Sequence, residues 1–182
     1  MKEKFIELLR QTEREGIENL LRFLESTDFY TAPASTRFHG SKEHGLLEHS
    51  LKVYEILDKK IKDLGMEVPE DTIKISALLH DICKVNFYKI DYRNAKNERG
   101  EWEKVPYYTV DDTMPFGHGE KSVMMLMEFI KLSADEKYAI RWHMGFTEPK
   151  EQYSTIGLAY QKYPLALLLF EADLEATYFF NL

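Results

Sequence analysis

Apolar residues recur at helical spacing along most of the chain, which predicts a mainly helical protein. The first apolar face runs from Phe5 to Leu24, although Gly16 weakens its middle. The next face runs from Leu46 to Leu64, and Gly65 is expected to end that helix as a C-terminal cap. Later helices are predicted over 69–81, from about 117, over 133–143 (where Ser133 and Glu136 have capping-box spacing), and over 164–180.

The stretch from 87 to 110 has a different pattern. Residues 87–92 and 102–110 are rich in aromatic and β-branched residues, and residues 97–100 have the composition of a turn. The segment 31–44 contains a proline, a glycine and several small polar residues, and is predicted to be a loop. The chain is therefore expected to be an all-α domain with one inserted β-hairpin around 87–110.

Composition limits the class of protein. The 182 residues, 44% of them hydrophobic, fit one globular domain over 1–182. The single cysteine, Cys83, indicates a reducing compartment, the charged N-terminus does not resemble a signal peptide, and no stretch approaches ~20 apolar residues. These features predict a cytoplasmic protein without a membrane span. The net charge of −7 disfavours nonspecific nucleic-acid binding, so a phosphate substrate needs local positive charge, which a bound metal supplies.

The strongest chemical signal is His80-Asp81, at the end of an apolar helix. An imidazole and a carboxylate suit divalent ions such as Zn, Fe or Mn. Adjacent residues on a helix point ~100° apart, so the pair can reach one metal from two sides, or Asp81 can bridge two. The alternative is a solvent-exposed helix end, and any single histidine is more often structural than a ligand. The apolar run before the pair favours burial.

Two other acid or base residues lie on predicted apolar helices. His49 is early in one of them, whereas His44, five residues before it, would point ~140° away and is predicted to be a loop or cap residue. Asp173 lies in a helix rich in leucine and alanine, where a buried carboxylate needs a partner because burying an unpaired charge is costly. The HExxH zinc motif is absent from the sequence.

Three segments together resemble the metal-binding signature of the HD superfamily of phosphohydrolases. They are residues 45–51 around His49, residues 77–84 around His80-Asp81, and Ala172-Asp173. The resemblance extends from about 32 to 176. It is nearest to the HD domains of bacterial and phage nucleotide hydrolases and of a bacterial 3′–5′ exoribonuclease family. It implies a single HD-domain helical bundle with His49, His80, Asp81 and Asp173 as metal ligands.

Two further histidines bear on the number of metals. In HD proteins with two metals, two additional histidines fall between the HD pair and the last aspartate, and His118 and His143 match these positions. The resemblance then implies a binuclear centre bridged by Asp81, holding divalent ions such as Fe, Mn, Zn, Ni, Co or Mg. The alternative is that both histidines are helix-terminal residues, with a single metal. Many relatives have glycine where this chain has Cys83.

The expected activity is hydrolysis of a small phosphorylated substrate, a nucleotide or a related phosphoester. A metal-bound water is the hypothetical nucleophile, Asp81 is the bridging ligand, and Lys84 is expected to contact a phosphate oxygen. The segment 35–40 supplies two more candidate substrate contacts, Arg37 and His39, with a plain surface loop as the alternative. The aromatic residues of the hairpin either stack on a base or, as we expect, pack the hairpin onto the helices.

Three rival functions remain open at this stage. Some two-metal HD proteins are diiron oxygenases, although a lysine at position 84 favours hydrolysis. A regulatory module with a degenerate site is disfavoured by the complete ligand set. A 3′–5′ exonuclease-like phosphodiesterase is possible, but the short acidic chain without a separate nucleic-acid-binding domain favours a small nucleotide. The oligomeric state is not predicted.

Overall fold

The helices of the computed structural model follow the apolar faces of the sequence. The structure describes residues 1–36, 40–180 and 182. Within these residues the chain forms eight α-helices and one two-stranded sheet: α1 (Lys2–Arg10), α2 (Ile17–Glu25), α3 (Gly45–Asp63), α4 (Glu70–Leu79), β1 (Tyr88–Lys96), β2 (Trp102–Val110), α5 (His118–Met127), α6 (Ala134–Trp142), α7 (Tyr153–Lys162) and α8 (Pro164–Phe180).

The apolar segment from Phe5 to Leu24 forms two helices, and the second begins directly after Gly16, the residue that weakens the helical pattern in the sequence. Gly16 has a φ of 89° and precedes α2 as its N-cap. A side chain at this position would overlap the backbone carbonyl of Phe129. Glycine is required here because it adopts positive φ without strain and lets the two backbones approach.

The apolar faces meet in two clusters of buried side chains. One cluster joins α1 and α2 to the start of α3 and to α4, and the other lies between α3, α4, α6, α7 and α8. Fully buried alanines, Ala166, Ala172 and Ala176, lie along α8. Small side chains at these positions allow α8 to pack closely against its neighbours, which brings Asp173 next to the helices that carry the histidines.

Helix α6 begins with the predicted capping box. The Ser133 side chain accepts a hydrogen bond from the Glu136 backbone N–H, and the Glu136 carboxylate accepts one from the Ser133 backbone N–H. Glu136 is fully buried and also accepts hydrogen bonds from the Arg14 guanidinium and the Thr72 hydroxyl. This network ties α6 to α4 and to the turn before α2.

The hairpin is present at the predicted place, and its aromatic residues pack onto the rest of the chain only at its base. Tyr92 and Trp102 are exposed, whereas Phe87 and Tyr88 are partly buried, and the Lys121 ammonium of α5 lies over the Phe87 ring. The strands pair in antiparallel register from Tyr88 opposite Val110 to Lys96 opposite Trp102, and most of their residues are exposed. Its base is anchored by the Tyr88 hydroxyl, which donates a hydrogen bond to the Ala34 carbonyl at 3.1 Å. A period-2 pattern does not reveal whether a third layer covers either face.

Helix α7 was not predicted from the sequence. Its buried residues, Ile156, Ala159 and Tyr160, form a short stripe, and Gly157 interrupts the apolar pattern. Packing against α8 and α6 stabilises this helix where local propensity is weak. No helix within the described residues is both long and apolar enough to cross a lipid bilayer.

Candidate metal centre

Five helices bring the six predicted ligands together. His49 lies in the second turn of α3, and Asp173 lies in the middle of α8. His80 and His143 are the C-caps of α4 and α6, and His118 begins α5. The remaining ligand, Asp81, follows His80 directly and precedes a short 3₁₀ turn at Ile82–Lys84. Side chains separated by up to 124 residues along the chain therefore lie close together at one site between the packed helices.

The two oxygens of the Asp81 carboxylate face different histidines. On one side, Asp81 Oδ1 lies 2.6 Å from His118 Nε2 and 3.5 Å from His143 Nε2. On the other, Asp81 Oδ2 lies 3.5 Å from His80 Nε2 and 3.8 Å from His49 Nε2. Asp81 is buried. The carboxylate thus lies between two pairs of imidazoles, each pair facing its own oxygen.

Both carboxyl groups of the centre are held in the charged form. Burial alone would raise the pKa of the Asp173 carboxyl, but a hydrogen bond from His49 Nε2, 3.0 Å away, and the neighbouring imidazoles hold it at about 2. Burial likewise opposes ionisation of Asp81, yet the adjacent Lys84 ammonium and His80 hold its pKa well below the usual range. The centre therefore carries two carboxylates at neutral pH.

Two histidine rings are oriented by hydrogen bonds within their own helices. His80 Nδ1 donates a hydrogen bond to the Ala77 carbonyl at 2.8 Å, and His143 Nδ1 donates one to the Ile140 carbonyl at 2.7 Å. Nδ1 carries the proton in both rings, so each Nε2 lone pair is free and points at Asp81. Both Nε2 atoms are buried without a hydrogen-bond partner among the described residues.

These orphaned nitrogens fit a divalent cation. An unsatisfied buried polar atom is costly, and a metal bound to it would remove that cost. Three groups of ligand atoms lie within 4.8 Å of one another: His49 with His80 and Asp81, His80 with His143 and Asp173, and Asp81 with His118 and His143. Imidazole and carboxylate donors in such groups could hold a metal ion.

A cavity of about 230 Å³ opens in front of the carboxylates. Lys84 lies at its edge, with Nζ 2.6 Å from Asp81 Oδ2. Burial would lower the pKa of this ammonium, but the Asp81 charge raises it above the usual range, so Lys84 stays protonated. Apolar residues that line the same cavity include Met144, Phe170 and Leu174.

Comparison with known proteins gives a match to the family model of the HD domain over residues 46–176. The chain belongs to the HD domain family. The match contains all six candidate ligands and Lys84, so it confirms the resemblance inferred from the sequence. Membership also accounts for the mainly helical fold and for the capacity to bind divalent metal.

A curated relative points in the same direction. Over 84 residues the HD chain is 36% identical to a dihydroneopterin 2′,3′-cyclic phosphate phosphodiesterase of Methanocaldococcus jannaschii. The alignment covers 44% of this chain and 31% of that protein, so the match spans about a third of the relative's length. No solved structure matches the chain significantly.

Cys83 contacts a candidate ligand. Its Sγ lies 3.3 Å from His118 Nδ1, and the residue is buried. Burial would lower the pKa of His118, but its hydrogen bonds to Asp81 and to Cys83 raise it to about 9. Cys83 therefore helps to orient His118 through the ring nitrogen that faces away from Asp81.

The other predicted residues fall into two groups. Arg37 and His39, the candidate substrate contacts of the 35–40 segment, lie outside the described residues. His44 is the N-cap of α3, as predicted, and its Nδ1 donates to the Tyr30 carbonyl. The sequence did not identify the apolar residues that line the cavity. Met144 and Phe170 belong to stretches that resemble the core, and their pattern does not show which side faces the cavity.

Proposed function

We propose that this HD domain is a metal-dependent phosphohydrolase that cleaves a phosphoester of a nucleotide-like substrate, and that the six candidate ligands around Asp81 would hold two divalent ions. The observation that carries the proposal is the arrangement around Asp81: one oxygen faces His49 and His80, and the other faces His118 and His143. A carboxylate with imidazoles next to both of its oxygens would suit a two-metal hydrolytic centre, in which the ions lie ~3.5–4 Å apart.

A divalent ion held by these ligands would lower the pKa of a coordinated water and polarise a phosphoryl oxygen. The chain's own residues supply binding and orientation. Lys84 has three N–H donors and uses one on Asp81, which leaves two for the oxygens of a phosphate. Asp173, ionised at neutral pH, would hold a metal ion together with His49, whose Nε2 lies 3.0 Å from the Asp173 carboxylate.

The bond type that we propose is a phosphodiester. The cavity is smaller than the ~300–1,000 Å³ of pockets that enclose a whole drug-sized ligand, so it fits the scissile phosphate and one adjoining group. A diester has a second substituent, which can leave the cavity toward solvent. The name of the archaeal relative, a cyclic phosphate phosphodiesterase, supports the same bond type.

The test is hydrolysis of two chromogenic substrates by the purified protein after metal analysis. With Mn²⁺, we expect cleavage of bis-p-nitrophenyl phosphate to exceed that of p-nitrophenyl phosphate. Asp81→Asn and His80→Ala should lose metal and activity, whereas His44→Ala, a histidine outside the centre, should retain both. Full activity in Asp81→Asn would refute the proposed mechanism.

An oxygenase would behave differently in the same preparation. Lys84 at the cavity edge favours hydrolysis because its ammonium complements a phosphate charge. Iron-loaded protein that consumes oxygen with a candidate substrate, and releases no phosphate or alcohol, would reject the hydrolase.

A further inference from the structure

The two faces of the hairpin differ in chemistry. Directly opposed residues of an antiparallel pair lie on the same face, so the register places the even-numbered positions of both strands together. This face, which we call the aromatic face, includes Tyr88, Tyr92, Trp102 and Tyr108. All its positions are described, and it carries two lysines, Lys96 and Lys104, with no carboxylate. The odd-numbered face has two basic and two acidic residues.

The aromatic face is open to solvent along most of its length. Tyr92 is 62% exposed and Trp102 is 69% exposed. The Lys96 ammonium lies over the Trp102 ring, 5.3 Å from its centroid, so cation and aromatic ring share one surface. Nine residues per strand give this face a length of about 30 Å.

The base of the aromatic face adjoins the candidate metal centre. The Tyr88 hydroxyl is hydrogen-bonded to Ala34, which lines the same cavity as Lys84 and Asp81. A chain that enters this cavity from the hairpin side therefore passes along Tyr88 and Tyr108. Their rings are adjacent, with centroids 6.5 Å apart.

We propose that the aromatic face binds a single-stranded oligonucleotide and leads one of its phosphodiesters to the metal centre. The proposal rests on the proposed phosphohydrolase function and specifies its substrate class. Aromatic side chains stack on bases of any sequence, and lysines without competing carboxylates attract the phosphate backbone. A cavity too small for a whole nucleotide chain, next to an open aromatic surface, suits a substrate that extends beyond the active site.

Charge distribution favours a nucleic acid over a second copy of this chain. In a two-fold dimer the same surface lies on both sides, so Lys96 and Lys104 would face each other without a carboxylate to pair with. Residues 88–110 contain five basic and four acidic residues, whereas the whole chain carries −7. A polyanion is thus repelled by the body of the protein and is least repelled at the hairpin.

Binding is measured by fluorescence anisotropy of a labelled single strand of about 12 nucleotides, as RNA and as DNA, in EDTA so that no hydrolysis occurs. Trp102→Ala and Lys104→Glu should each weaken binding about tenfold or more. The matched control is Lys89→Glu, which makes the same charge change on the odd-numbered face and should alter affinity less than about threefold.

Hydrolysis of bis-p-nitrophenyl phosphate separates this proposal from the function on which it rests. With Mn²⁺, all three variants should cleave the small diester at the wild-type rate, while Trp102→Ala and Lys104→Glu cleave the oligonucleotide more slowly. Equal oligonucleotide binding by Lys104→Glu and Lys89→Glu, or no binding by the wild type, would show that the aromatic face does not bind the oligonucleotide. The proposed hydrolase activity would not be affected by that result. A wild-type dimer that Trp102→Ala converts to monomer would also overturn oligonucleotide binding by the aromatic face. Failure to cleave the small diester would instead reject the proposed function.

Discussion

Divalent metal should stabilise the fold, and the structure indicates by how much. His80 Nε2 and His143 Nε2 are buried and lack hydrogen-bond partners among the described residues. Each such atom costs about 1–3 kcal/mol, so about 2–6 kcal/mol is available when a metal satisfies both. At free metal a hundredfold above Kd, linkage gives about 2.7 kcal/mol, which lies within this range. For a chain of this size we expect the unfolding midpoint to rise by about 5–11 °C.

The assay is thermal unfolding followed by circular dichroism, with EDTA or with Mn²⁺, Fe²⁺ or Zn²⁺. Asp81→Asn should lose the metal-dependent shift because it removes the carboxylate that faces both pairs of histidines. His44→Gln should keep the shift, since His44 is the N-cap of α3 and lies outside the centre. The same shift in Asp81→Asn as in the wild type, or no shift with any of the three metals, would show that the imidazoles do not form a metal site.

Three further substitutions test the site and its supports. Lys84→Met should lower kcat on the chromogenic diester by about 10²-fold, because the substitution removes a phosphate contact and leaves the metal ligands in place. An unchanged kcat would show that Lys84 does not contact the phosphate. Gly119→Ala should destabilise the fold by about 1–3 kcal/mol in denaturant titrations, because its Cβ would overlap the Arg141 carbonyl where α5 and α6 approach each other. Wild-type stability of this variant would show that the two helices can move apart. Glu136→Gln should cost about 1–3 kcal/mol in the same titration, because it removes the charge of a buried carboxylate that accepts hydrogen bonds from Arg14, while Arg14 keeps its ion pair with Asp71. Wild-type stability would contradict that role.

The structure changes one inference drawn from the whole-chain charge. A net charge of −7 argues against nucleic-acid binding only if the charge is spread evenly. The register of the hairpin places Lys96 and Lys104 on a face without carboxylates, together with exposed aromatic residues. A sum over the sequence contains no information about which side of a strand a residue occupies, and the strand register supplies it.

The sequence by itself determined the helical character of the chain, the hairpin at 87–110 and the identity of the candidate ligands. The helices and the hairpin depend on local periodicity and capping chemistry, which are present in the linear chain. The candidate ligands follow from the resemblance of their segments to the HD signature. Gly16 weakens the first apolar face in the sequence too, but the close approach of its backbone to Phe129 depends on tertiary packing. The presence of α7 also depends on what packs against that segment, so local propensity could not reveal it.

Only the tertiary structure decided how the ligands meet. That Asp81 presents one oxygen to His49 and His80 and the other to His118 and His143 follows from the packing of α3, α4, α5 and α6 around one point. The sequence shows which side chains can bind a metal. Their distances and free lone pairs depend on helix packing, because residues far apart in the chain become neighbours only when their apolar faces are buried against each other.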